Sequence, residues 1–102
     1  MKYKIKQIRD IKNCDYAFKH YDWCKDQINL NDYEVVYEGE LDYEAYAASV
    51  SRPDVLDHLF YIFNMERPED FKGHSLSVSD IVEIDGVNYY CDAMGWVKLE
   101  DK

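Results

Sequence analysis

Residues 71–92 read FKGHSLSVSDIVEIDGVNYYCD, and the fold turns on how they are parsed. Gly73-His74-Ser75 begins a G-x-S-x-G pattern, the elbow that presents a nucleophilic serine between a strand and a helix. Here a loop, residues 67–72, precedes Ser75, a strand follows it, and Ser77 stands where the second glycine belongs. Parsed as β-structure, the stretch gives strands at 80–85 and 87–92. They are joined by Asp85-Gly86, a dipeptide suited to a two-residue hairpin turn. Gly95 sets off a last short strand at 96–99. Gly73 then allows a tight bend, and Ser75, Ser77 and Ser79 brace the entry through local backbone hydrogen bonds. Leu76, Val78 and Ile81 are expected inside. On this reading Gly73, His74, Ser75, Ser77, Ser79 and Asp80 form a structural turn. No catalytic residue is assigned, and the protein is not expected to be an enzyme.

Outward from the hairpin, SRPDVLDHLFYIFNM (51–65) carries the principal helix, expected over 52–64. Ser51 and Asp54 make a capping pattern, Pro53 suits the first turn, and Arg67-Pro68 ends the helix. Val55, Leu56, Leu59, Phe60 and Phe63 form its apolar stripe, with His58 opposite beside Asp54 and Asp57. Residues 3–9 read as a strand with a slip near Gln7. Residues 15–26 read as a short helix capped by Asp15. Residues 33–43 alternate, so Tyr33, Val35, Tyr37, Leu41 and Tyr43 fall on one face and Glu34, Glu38, Glu40 and Asp42 on the other. A helical turn is expected around Tyr43, Tyr46, Ala47 and Val50. The sum is a small single α+β domain over 1–102: a mainly antiparallel sheet, one principal amphipathic helix and a short N-terminal helix.

The chain carries a formal charge of −9, unevenly spread. Residues 1–25 hold seven basic and three acidic side chains, whereas 26–102 hold five and eighteen. Such a surface repels nucleic acid over most of its area and favours basic partners. Met1 to Arg9 alternates charge without an apolar core, so no secretory leader is expected, nor is any run long enough to span a membrane. Cys14, Cys24 and Cys91 are an odd set with no C-x-x-C, which fits reduced thiols in a cytoplasm. Their spacing with His20, His58 and His74 does not suit zinc, and no metal or cofactor is expected.

Four stretches together resemble the YodL-like domain family: RPEDFKGHSLSVSDIV (67–82), YYCDAMGWVKL (89–99), YDW (21–23) and YEVVYEGELD (33–42). Residues 44–56 resemble it least. The resemblance implies a mobile-element setting, in plasmids, conjugative elements and phages of Firmicutes and related bacteria. It supplies no mechanism, and the block from Gly73 to Asp80 carries over as motif positions, not as catalytic residues.

Three functions compete. The first is a small acidic interaction protein of a mobile element or phage, with an anti-defence role against a host protein that has a basic, nucleic-acid-binding surface. Its candidate partner-binding residues are Glu34, Glu38, Glu40, Asp42 and Glu44, with Tyr33 and Tyr37. Same-face residues on a strand lie about 6.6 Å apart, so the carboxylates would imitate a run of phosphates. The second is a nucleic-acid-binding module using the basic edge of Lys2, Lys4, Lys6, Arg9 and Lys12. The third is a hydrolase-like site around His74, Ser75 and Asp80, for which no metal spacing or phosphate loop is present.

Overall fold

The computed structural model describes residues 1–41 and 51–100. Five strands form one antiparallel sheet: β1 (Lys2–Ile8), β2 (Tyr33–Glu40), β3 (Ile81–Ile84), β4 (Val87–Asp92) and β5 (Gly95–Leu99), in the order β2-β1-β3-β4-β5. Asp85 and Gly86 both take positive φ, 51° and 81°, so the β3–β4 turn twists as a two-residue hairpin requires. Ile81 faces Tyr90 and Ile84 faces Val87 across the ladder, as the alternation of the sequence predicts.

Helix α2 (Arg52–Met65) follows the short α1 (Tyr21–Cys24) and packs on one face of the sheet. The Ser51 hydroxyl accepts from the Asp54 N–H at 3.3 Å, and Pro53 occupies the first turn where its missing N–H costs nothing. Val55, Leu56, Leu59 and Phe63 are buried against Tyr3, Ile5, Val82 and Ile84. Phe63 sits among rings, with Tyr37 at 5.2 Å and Phe71 at 4.9 Å, both edge-on. Each such side chain contributes about 1.5–3 kcal/mol through burial. Phe60 departs from the expected stripe: it is 39% exposed, because the sheet meets a narrower strip of the helix than its apolar residues cover.

The opposite face of the sheet is half covered by residues 9–32. Tyr16, Cys24 and Ile28 close over Ile8, Tyr33, Ile81, Tyr90 and Leu99. A continuous helix over 15–26 does not form, and only Tyr21–Cys24 is α-helical, with no side-chain cap. Tertiary bonds take the backbone groups a helix would use. The Phe18 N–H donates to the Ser79 hydroxyl at 2.9 Å, and the Tyr90 hydroxyl donates to the Lys19 carbonyl at 2.7 Å. Phe18 itself has φ 63°, which ends any helix there. The helical turn expected around Tyr43, Tyr46, Ala47 and Val50 lies outside the described residues.

Candidate interaction surface

The carboxylates of β2 do not form one row. Ile5 pairs with Tyr37, but Lys6 pairs with Val35, so Val36 is an extra residue and the strand bulges. A bulge moves every side chain beyond it to the other face. Tyr37 and Glu34, opposite Ile5 and Gln7, therefore share the α2 side. Tyr33, Val35, Glu38 and Glu40, opposite Ile8, Lys6, Lys4 and Lys2, share the other side. The two tyrosines differ in exposure. Tyr33 is 5% exposed and donates its hydroxyl to the Ser79 carbonyl at 2.6 Å, while Tyr37 is half-buried in the aromatic cluster. Asp42 and Glu44 lie outside the described residues.

The remaining acids of this face meet the N-terminal lysines. Lys4 Nζ lies 3.8 Å from Glu38 and 4.0 Å from Glu83. Lys6 Nζ donates to Glu83 at 2.7 Å and to Asn88 at 2.8 Å, and Lys2 stands opposite Glu40. Strand pairing thus sets Lys4 between Glu38 of β2 and Glu83 of β3, and gives Lys6 the same Glu83, with Val35 opposite it on β2. Charges of opposite sign are therefore interleaved around Lys4 and Lys6 on this face.

The block from Gly73 to Asp80 is built around Gln7, a residue that strand periodicity marks only as a slip. Buried Gln7 donates Nε2–H to the His74 carbonyl at 2.8 Å and to Asp80 Oδ2 at 3.0 Å, and its Oε1 accepts from the His74 N–H at 3.2 Å. Asp80 Oδ2 also accepts from the Ser77 N–H at 2.8 Å. Burial pushes the Asp80 carboxyl up to about 7, against the lowering effect of these two donors. Gly73 is required for closeness rather than for a bend, since a Cβ there would run into Gln7 Oε1. One unpaired sequence signal pointed to Gln7: an uncharged polar side chain in step with Tyr3 and Ile5 on the buried face.

His74 has both ring nitrogens directed at protein groups, Nδ1 at 2.7 Å from the Ser75 carbonyl and Nε2 at 3.8 Å from Asp80 Oδ1. The Ser75 carbonyl accepts from the Ser77 hydroxyl at 2.8 Å. Ser79 adopts φ 83° and joins three segments through Phe18, Tyr33 and Cys91. The hydroxyls therefore brace the turn through Ser77 and Ser79, and the family block is the seam that fastens β1, β3 and the N-terminal segment.

Burial raises the Cys24 thiol and pushes the Cys91 thiol up to about 12, which keeps both protonated and weakly nucleophilic. Among the described residues, no three His, Cys, Asp or Glu side chains converge to hold a metal, and no helix is long and apolar enough to cross a membrane. At the far end of β1 an open polar cleft of about 460 Å³ is lined by Arg9, Asp10, Asn13, Asp15, Gln27 and Asn31, among others.

The described residues define a small α+β protein: one five-stranded antiparallel sheet, one main helix, and a buried polar seam around Gln7 and Asp80. The family model of the YodL-like domain matches residues 2–101, and the chain belongs to that family. No curated protein and no solved structure matches it.

Proposed function

We propose that this chain is a small acidic binding protein that engages a basic surface of a protein partner and is not an enzyme. The observation that carries the reading is the pairing of the β1 lysines. Lys4 and Lys6 are matched to Glu38 and Glu83, Lys2 stands opposite Glu40, and Arg9 turns its guanidinium to the Asn31 and Tyr33 carbonyls, which favours a protein partner over nucleic acid. The excess negative charge of the chain, −9 in all, is left for the rest of the surface. The contact of His74 Nδ1 with the Ser75 carbonyl at 2.7 Å and the hydrogen-bonding of the His74 main chain to Gln7 support a structural role for the motif over a hydrolytic one. In the mobile-element setting implied by the family resemblance, the partner is a host protein whose own basic surface binds nucleic acid, and the role is anti-defence.

The test sets an electrophoretic shift with duplex DNA and single-stranded RNA beside a pull-down from a bacterial host. The reading expects no shift and the recovery of a basic protein that is released by salt. A shift abolished by replacing Lys2, Lys4 and Lys6 with Gln would contradict it.

A further inference from the structure

We propose that the solvent side of α2 docks a basic amphipathic segment of the partner, an inference that rests on the acidic-binding reading above. Phe60, Tyr61 and Met65 would take its apolar residues, and Asp54, Asp57, Glu66 and Glu69 its Lys or Arg side chains. A helix resting on a sheet ordinarily turns polar residues outward. Here Phe60 is 39%, Tyr61 49% and Met65 72% exposed. Asp57, Tyr61 and Met65 follow at i, i+4 and i+8, so they stack along one line of the helix, about 12 Å long at 1.5 Å per residue.

The line is widened by β5. The Trp96 ring meets Phe60 edge-on at 6.5 Å, and its indole N–H donates to Asp57 Oδ1 at 3.0 Å. Asp57 is thereby held at the border between the aromatic ridge and the acidic end of the helix. Between residues 53 and 70 stand five carboxylates, Asp54, Asp57, Glu66, Glu69 and Asp70, against one cation, Arg67. Exposed aromatic and methionine side chains rimmed by acids complement a helix with leucine-like anchors and basic flanks. The other strongly exposed aromatics, Phe18 and Trp23, have neighbours of both signs, Lys19 and Lys25 with Asp22 and Asp26, rather than an excess of acids.

The experiment titrates ¹⁵N-labelled protein with a synthetic amphipathic helix of leucine and lysine, and with its leucine–glutamate counterpart. We expect saturable shifts at the Trp96 indole N–H and at the amides of 57–66, with the Trp23 indole unmoved. The leucine–glutamate peptide should produce none. Phe60→Ser combined with Met65→Ser should weaken binding about tenfold or more while the spectrum stays dispersed, since both side chains are exposed. Binding of the leucine–lysine peptide elsewhere, at Trp23 or in the Asp10–Asp15 cleft, would overturn this docking surface and leave the acidic reading standing. Equal binding of both peptides, or concentration-dependent shifts at 57–66 without peptide, would overturn it in favour of an apolar contact or of self-association. No binding of the leucine–lysine peptide together with binding of DNA would overturn both.

Discussion

The side-chain amide of Gln7 closes a two-way hydrogen-bonded ring on the main chain of His74, accepting from its N–H at 3.2 Å and donating to its carbonyl at 2.8 Å. The second Nε2 proton goes to Asp80 at 3.0 Å, so every polar atom of this buried amide is used. One side chain on β1 thus does for the 73–80 segment what a paired strand would do. Gln7→Leu keeps the shape but leaves the His74 N–H and carbonyl and the Asp80 carboxyl each short of a partner. Urea unfolding should show a loss of roughly 2–4 kcal/mol. A loss below about 0.5 kcal/mol would mean that the seam is not structural.

Gly73→Ala attacks the same contact from the other side, since its methyl group would meet Gln7 Oε1. We expect a destabilisation of about 2 kcal/mol, read as a lowered denaturation midpoint. In the double variant with Gln7→Ala the two losses should add to less than their sum, because the clash disappears with the amide.

Asp80 gives the fold a pH dependence of definite sign. Its carboxyl is held at about 7 in the folded protein, above the ordinary value near 4. The native state therefore holds this proton more tightly than the unfolded chain. The stability it contributes is fully present below about pH 4 and is lost as the pH rises through 7. Measured by urea unfolding at pH 5 and pH 8, the wild type should lose more stability than Asp80→Asn across the same interval. Parallel profiles would show that the carboxyl titrates normally.

Among the serines of the block, the structure separates one from the others. Ser75→Ala keeps the carbonyl that the Ser77 hydroxyl uses, and should change stability by less than about 0.5 kcal/mol while leaving partner binding intact. Ser79→Ala leaves the Phe18 N–H without its acceptor at 2.9 Å and keeps the φ of 83°, so a loss of about 1–2 kcal/mol is expected. Thermal unfolding of the two variants side by side checks the ranking. A Ser75→Ala protein with an unchanged melting curve and no biological activity would reinstate the serine as a reactive group.

Much of the architecture was legible in local chemistry. Asp85-Gly86 fixed the hairpin, and Ser51, Pro53 and the Val55-Leu56-Leu59-Phe63 spacing fixed the helix, because turn residues and caps act within a few positions. The missed features depend on residues far apart in sequence. The bulge at Val36 left a trace in the consecutive Val35-Val36, but only the pairing with Ile5 and Lys6 shows that it moves Glu34 away from Glu38 and Glu40. The helix expected over 15–26 failed because Ser79 and Tyr90 claimed its backbone groups. Gln7 looked like an interruption of β1, and its three partners lie 67 to 73 residues away. The pairing of Lys4 and Lys6 with acids likewise required the strand order, which sets β1 between Glu38 of β2 and Glu83 of β3.

The salt dependence of partner binding tests the acidic-binding account most directly. Affinity for the protein recovered from the host should be measured from about 0.05 to 0.5 M salt, for the wild type and for the chain with Lys2, Lys4 and Lys6 replaced by Gln. Exposed charges are screened beyond roughly 8 Å at physiological ionic strength. The account predicts affinity that falls steadily with salt and a lysine variant that binds at least as tightly as the wild type. Salt-independent affinity, or binding lost with the lysines, would contradict it.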